Sequence, residues 1–324
     1  MPHVNSPKLE DLASALGYRV TIRLHEKTGG YRDIVGVLQS KNEIINSKGQ
    51  TVPFEIQDVA LWRLIKPLPD RAGTGAPLSL RISELEEISN ATWQADREVH
   101  YGKWLARLSQ GFTLRANSVL PRGAGPYGDP LNGIDESIAH VRTLYEQSGL
   151  IPAFVLPLPI YSELDSYLHA RGWNQKLVAQ YLVNECVTTQ PEARDDVLFS
   201  QTASPNDQWL RAQGDENLVS IMSRTPAIYG ALHDDGVIVG VGRIAVLGSW
   251  SIITRLYIAP DYRGKGLSKF LMNNLTHAAF LQGATKIFLQ VDEQNKVALA
   301  LYQSMNFRLH HTCSYRELQN GIKP

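Results

Sequence analysis

One stretch limits what this chain can fold into. Residues 252–258 (IITRLYI) are an apolar, β-branched run, and Ala259-Pro260-Asp261 stops it. Arg263-Gly264-Lys265-Gly266-Leu267-Ser268 comes next. From there Leu267, Phe270, Leu271, Asn274, Leu275, Ala278 and Ala279 fall on one helical face, all apolar but Asn274. A strand that stops, a loop with two glycines and a helix that starts at the loop make an anion-binding arrangement. Glycine lets backbone N–H groups approach an anion closely, and the helix N-terminus adds about half a positive charge. Gly283 ends the helix, and 286–291 reads as a buried strand. Strand, helix and strand in this order give a right-handed parallel crossover. The loop then lies at the C-terminal end of the first strand, where open α/β sheets bind ligands.

Spacing removes two other phosphate loops. A P-loop needs Gly-x-x-x-x-Gly-Lys-Ser/Thr, which Gly264-Lys265-Gly266 does not supply. A dinucleotide fingerprint needs three glycines, and this loop has Gly264 and Gly266.

At 324 residues the chain is expected to hold two or three domains. With a formal net charge of zero, the overall charge points to no polyanion partner, and no nucleic-acid footprint is evident. The two cysteines, Cys186 and Cys313, form neither a metal-spaced pair nor a disulfide framework. No apolar run reaches bilayer-spanning length and the first residues lack a signal region, so the expected location is the cytoplasm, with no membrane partner.

Residues 1–70 show a short helical pattern at 8–16 and then short strands at 18–24, 32–39, 43–45, 51–54 and 59–65, separated by Gly/Asn turns. That spacing predicts a small all-β barrel, SH3-like in order, serving as a structural or docking module. A Pro/Gly-rich linker at 66–75 marks the boundary. Within 76–190, helices are expected at 83–92 and 98–108 and a strand at 112–119. After a Gly/Pro-rich loop (121–133) come a helix at 136–147 capped by Asp135, a strand at 152–157, a helix at 162–171 and a strand at 177–184. In 191–324, an opening strand (197–201) and helices at 207–213 and 218–222 lead to strands at 228–232 and 237–246, joined through Asp235-Gly236. The order from the strand at 252–258 onward repeats that of the middle segment, and the endings LDSYLHARGW and ALALYQSMNF compare well. We read a degenerate duplication. The middle loop, PRGAGPYGDPLNG, lacks Arg-x-x-Gly-x-small directly before its helix. The middle copy is therefore expected to shape the substrate side rather than bind cofactor.

The 252–307 stretch resembles the acyl-CoA site of the GCN5-related N-acetyltransferase (GNAT) superfamily. The family signature Arg/Gln-x-x-Gly-x-Gly/Ala is met by Arg263 to Ser268, with the small Ser268 at the last position. A second signature, Asn, Ala, Leu-Tyr and Gly-Phe, is met by Asn295, Ala298, Leu301-Tyr302 and Asn306-Phe307. Asn306 replaces the glycine, and asparagine tolerates the left-handed backbone a helix end requires. The resemblance covers about 120 residues. It implies an α/β (α+β) GNAT fold with a mixed sheet and a splayed parallel strand pair, present here in duplicate. The layout is 1–70 barrel, 76–190 degenerate copy and 191–324 catalytic domain, similar to a group of actinobacterial GNAT proteins.

The resemblance also implies chemistry. Backbone groups of Gly264, Lys265, Gly266, Leu267, Ser268 and Lys269 hold the CoA pyrophosphate, with Arg263, Lys265 and Lys269 adding charge. Leu256, Tyr257 and Ile258 pair with the pantetheine amide like an added strand. Asn295 caps its helix and binds pantetheine, and Tyr302 protonates the leaving thiolate as general acid. Asn295 and Tyr302 are two turns apart, hence on the same side of that helix. The base stays open: some relatives carry Glu where this chain has Gln290, which takes no proton; the alternatives are Asp292, Glu293 or His233, directly or through water, or a substrate that arrives as the free amine. The implied reaction is acetyl transfer from acetyl-CoA to a primary amine by direct attack, without metal, in a monomer or homodimer. The alternative is a non-catalytic acyl-CoA sensor or scaffold.

Overall fold

The computed structural model describes residues 12, 15–46, 49–65, 76–214 and 219–318. The first strands are β1 (Arg19–His25), β2 (Tyr31–Ser40), β3 (Glu43–Ile45), β4 (Thr51–Pro53) and β5 (Val59–Leu64). Next come α1 (Leu78–Ala91), β6 (Arg97–Tyr101), β7 (Trp104–Leu108), β8 (Val119–Leu120), α2 (Ile134–Gln147), β9 (Ala153–Leu158), α3 (Ser162–His169) and β10 (Trp173–Glu185). The last run begins with β11 (Leu198–Thr202), α4 (Asp207–Gln213), α5 (Val219–Met222), β12 (Ile228–Asp234) and β13 (Val237–Leu247). It closes with β14 (Trp250–Ile258), α6 (Leu267–Leu281), β15 (Lys286–Asp292), α7 (Lys296–Ser304) and β16 (Arg308–Leu318). Among the described residues, no helix is long and apolar enough to cross a membrane.

The chain forms two compact units, neither continuous in sequence. One comprises Met1–Asp70, Glu185–Ala203 and Ala227–Ile287; the other comprises Arg71–Asn184, Ser204–Pro226 and Phe288–Pro324.

In the first unit the short strands pair antiparallel in the order β4-β3-β2-β1-β5. Alternation along β1 sends Val20, Ile22 and Leu24 into a core with Leu38, Ile44 and Trp62. Among the described residues no ladder joins β4 to β5, so a closed barrel is not shown. The expected helix at 8–16 falls largely outside the described residues, and the linker at 66–75 lies wholly outside them. The same unit carries the antiparallel run β11-β12-β13-β14. Helix α6 packs closely on it: a Cβ on Gly230 or Gly242 would lie 2.8 Å from a Leu275 methyl.

In the second unit the strand order is β15-β10-β16-β9-β8-β7-β6, with β8 and β9 parallel. Two chain segments exchange their last strands here. β10, which ends the middle segment, lies between β15 and β16; β16, which ends the later segment, lies between β10 and β9. The core below holds Trp104, Phe154, Leu156, Leu164, Leu168 and Trp173.

Two sequence expectations need correction in this unit. Residues 98–108 are not helical but form the β6–β7 hairpin, turning at Gly102 with φ +59°. Every residue of β7 is buried, so the alternation that marks a strand is missing there. Residues 112–119 are not a strand up to Val119; a 3-10 turn covers Leu114–Ala116. Asn117 takes over the backbone there, accepting from the Ser109 N–H (2.7 Å) and donating to the Phe112 (2.6 Å) and Thr113 (2.9 Å) carbonyls.

Arg316, 6% exposed on β16, holds Asp165 of α3 through two bonds of 2.7 Å and donates to the Trp173 carbonyl at 3.0 Å. Burial works against the Asp165 carboxylate, but hydrogen bonds from Arg316 and Ser314 outweigh it and hold its pKa below the usual range. The pair therefore stabilises the fold above the ordinary carboxylate pKa and loses that contribution as pH falls through the depressed value. Arg316→Met should cost about 2–3 kcal/mol at neutral pH, below the full buried-pair value because Asp165 keeps some water contact. Urea midpoints at pH 7 and in acid check this: the gap between variant and parent should narrow in acid.

Candidate active site

The anion loop is built within the first unit. β13 and β14 pair with Val241 opposite Tyr257 but Arg243 opposite Thr254, so β14 carries one extra residue. That residue is Arg255, held at φ +58°. Such a bulge bends the strand and re-aims the residues beyond it, here Leu256, Tyr257 and Ile258, of which the first two are half-buried.

Beyond Ile258 the chain makes a 3-10 turn over Pro260–Tyr262, and Arg263 N–H closes onto the Pro260 carbonyl at 3.1 Å. The Tyr262 hydroxyl donates to Asp234 at 2.7 Å, and Arg263 Nε donates to the Ile258 carbonyl at 3.1 Å. These contacts fix the entry to the loop. Gly264 (φ +76°) and Gly266 (φ +79°) take left-handed backbone, which side chains with a Cβ rarely adopt. Gly266 is the N-cap of α6 and Leu267 is buried beneath it. Among the described residues, the N–H groups of residues 264–269 have no protein acceptor. Six N–H groups without a protein acceptor, two positive-φ glycines and a helix start lie in one short run, which suits a polyanion.

Cations surround this point. Lys265 Nζ lies 4.7 Å from the Tyr262 ring centroid, and the Arg263 guanidinium lies 6.0 Å from that of Tyr257. Lys269 is exposed in the first turn of α6. Sequence reasoning missed a fourth, Arg194: its Nη1 is 3.7 Å from where a Gly266 Cβ would stand, and it sits over Phe270 at 5.9 Å. Asp196 anchors it through two bonds of 2.7 Å. No motif spacing connects Arg194 to a loop so far along the chain, so only the fold reveals it.

Asn295 and Tyr302 belong to the second unit. Asn295 Oδ1 accepts from the Ala298 N–H at 3.1 Å, which caps α7. Asn306, at φ +63°, terminates the turn after α7. Tyr302 is 8% exposed, with its ring 5.7 Å from that of Phe307. Burial pushes its pKa up to about 12, so the hydroxyl keeps its proton at neutral pH.

The base candidates are spread out. Gln290 is fully engaged: its amide donates to Ser89 Oγ at 2.8 Å and its carbonyl accepts from Arg115 Nε at 3.1 Å. Asp292 is exposed and accepts from the Gln294 N–H at 2.9 Å, while Glu293 is half-buried beside it. His233 lies in the first unit, with Nε2 2.8 Å from Ser200 Oγ.

Known proteins resemble this chain along most of its length. The family described as Probable histone acetyltransferase Rv0428c C-terminal matches residues 80–316. The Probable histone acetyltransferase Rv0428c of Mycobacterium tuberculosis is 26% identical over 321 residues, spanning 94% of this chain and 96% of that protein. The Uncharacterized N-acetyltransferase YobR of Bacillus subtilis is 24% identical over 240 residues, spanning 70% and 94%. Among solved structures, a GCN5-related N-acetyltransferase from Kribbella flavida aligns with a TM-score of 0.59 at 16% identity, over 75% of this chain and 97% of that one. A tandem GNAT protein from the clavulanic acid biosynthesis pathway aligns with a TM-score of 0.50 at 12% identity, over 73% and 88%. At such identities the solved structures speak to the fold, whereas the family match covers well over half of the chain. The chain belongs to the family of the Rv0428c C-terminal region, and it is an acyltransferase built on the GNAT fold.

Proposed function

We propose that the protein transfers an acetyl group from acetyl-CoA to a primary amine by direct attack on the thioester. The observation that carries this reading is the set of unpaired N–H groups at residues 264–269, presented between Gly264, Gly266 and the start of α6. They suit the CoA pyrophosphate, and Arg194, Arg263, Lys265 and Lys269 add charge. The backbone of Leu256, Tyr257 and Ile258, past the bulge at Arg255, supplies the strand-like edge for the pantetheine amide. The assignments of Asn295 to pantetheine and of Tyr302 to the leaving thiolate rest on the family pattern. With no ionised side chain required, orientation of the amine and stabilisation of the oxyanion supply most of the acceleration.

The same reading extends to organisation. The β1–β5 sheet serves as an SH3-like docking module, and the α1–β10 segment is a degenerate copy of the fold. The element order of β8, α2, β9, α3 and β10 repeats that of β14, α6, β15, α7 and β16, which supports the second of these. A sensor without turnover is the second reading, favoured by one observation: Gln290 is locked between Ser89 and Arg115 and cannot take a proton.

Replacing Gly266 by valine forces a β-branched residue into left-handed backbone and should weaken acetyl-CoA by about tenfold or more, read by calorimetry. No binding of acetyl-CoA to the parent chain at about millimolar concentration sinks both readings. With an amine that supports thiol release, Tyr302→Phe should lower kcat on the order of a hundredfold while leaving acetyl-CoA affinity intact. Unchanged turnover removes the acid assignment. The raised Tyr302 pKa sets a sign as well: the acid stays protonated through pH 10, so any loss of kcat due to it begins above pH 10 and moves toward about 12. An amine panel that releases no CoA favours the sensor.

A further inference from the structure

Within the second unit, the segment between β7 and β8 is held in a costly conformation. Gln110 (φ +38°) and Thr113 (φ +59°) both take positive φ, a region that a β-branched residue such as threonine rarely enters. Asn117 ties the segment down through the Ser109, Phe112 and Thr113 backbone, and Trp93 Nε1 donates to Thr113 Oγ1 at 3.2 Å. Such strain persists only where surrounding contacts impose it, and it gathers at functional positions. What the segment presents is Arg115, in the 3-10 turn Leu114–Ala116.

The Arg115 guanidinium is fixed on two sides. Its Nε donates to Gln290 Oε1 at 3.1 Å, and its Cζ lies 5.8 Å from the Trp93 ring centroid. Gln290 is held in turn, its amide donating to Ser89 Oγ at 2.8 Å. Arg115 is half-buried, yet its two Nη atoms have no acceptor among the described residues and are not sealed from solvent. They keep the planar fork that donates two parallel bonds to a carboxylate. Burial raises the Tyr315 pKa, and Arg115 and Arg107 both act against it. Of these two cations, Arg107 is 1% exposed and committed to Ser118 and Asn90, so Arg115 is the one with donors left to offer.

Position 290 gives this cation its meaning, and here the inference rests on the acetyl transfer proposed above. Relatives that carry Glu there use it as the base, and a base lies within hydrogen-bond reach of the amine or one water away. The acceptor amine then stands beside Gln290, with Arg115 one further hydrogen bond away. A carboxylate on the carbon next to the amine spans that distance. A cationic acceptor is disfavoured twice: the neutral Gln290 supplies no negative charge, and Arg115 adds a positive one. We propose that the acceptor is an α-amino acid, its carboxylate held by both Nη atoms of Arg115 and its uncharged amine attacking the thioester beside Gln290. The amine nitrogen bonds the acetyl carbon and then loses one proton to water. The C–S bond breaks with its electron pair leaving on sulfur, which takes a proton from Tyr302, and Tyr302 regains one from solvent.

Thiol release by the full chain with saturating acetyl-CoA tests this. The acceptors are alanine, leucine and phenylalanine, each against its own amide, and a lysine-rich peptide blocked at its N-terminus. At least one amino acid should exceed its amide by about tenfold or more in kcat/KM, with the peptide no better than the amide. Arg115→Met should lower kcat/KM for that amino acid by about tenfold or more and leave its amide within about twofold, whereas a purely structural Arg115 would slow both alike. Arg115→Lys keeps the charge without the fork and should fall between parent and Arg115→Met. The parent's preference over the amide needs no variant, so it decides the matter even where Arg115→Met folds poorly. Amides or peptide turned over as fast as the amino acids overturn this acceptor and leave acetyl transfer standing. An equal loss on amino acid and amide in a folded Arg115→Met overturns the role of Arg115. No thiol release from any of these amines, with acetyl-CoA bound by calorimetry, overturns the transfer reading and this acceptor with it.

Discussion

The β10–β16 ladder is the constraint on which the second unit depends. It runs from Trp173 opposite Leu318 to Val183 opposite Arg308. Without β16, both β10 and β9 would present an open edge with unpaired N–H and C=O groups. The residues it joins are far apart in the chain; Gln175 and Ser314, hydrogen-bonded through their side chains, are separated by 139 positions. Closing so long a loop has an entropic cost that only the completed ladder and its packing offset. The ladder also delivers chemistry. β16 brings His311 and Cys313 to Glu86 on α1, and Arg316 to Asp165 on α3. Each of these buried polar groups finds its partner in chain laid down long before it.

That exchange of strands was not legible in the sequence, and the reason is physical. Pattern reading finds where a strand lies, but β10 and β16 each have buried and half-buried positions that suit any neighbour. Local repetition made each segment look self-contained, whereas hydrogen bonding chose the crossed partners. The loop and its helix were legible because every signal there is local: Gly264 and Gly266 at positive φ, the apolar stripe from Leu267 to Ala279, and Gly283 at φ +101° past the helix end. The bulge at Arg255 was not, since arginine carries no signal for left-handed backbone. Asn306 was legible because asparagine does tolerate that conformation.

Long-range polar contacts formed a second blind spot. Gln290 reads in sequence as a missing base. In the fold it is a structural amide clamped by Ser89 and Arg115. Likewise Glu86 looks like one of several acidic residues on a helix surface. Burial and three donors from distant strands make it a fixed charge.

The two helix starts present different groups to an anion. At α6, Gly266 caps the helix, no acidic residue stands in the first turn, and the N–H groups before it remain unpaired. At α2, Asp135 and Glu136 fill the first turn, and the preceding loop is tied down by its own contacts. Asp129 N–H donates to the Arg122 carbonyl at 2.8 Å, Lys103 holds the Asp129 carboxylate at 2.7 Å, and Trp104 Nε1 donates to the Tyr127 carbonyl at 2.9 Å. The Asp129 N–H is thus spent within the loop, and the Lys103 ion pair and the Trp104 contact hold the loop's shape. The dipole that would attract an anion is instead met by carboxylates of the chain itself.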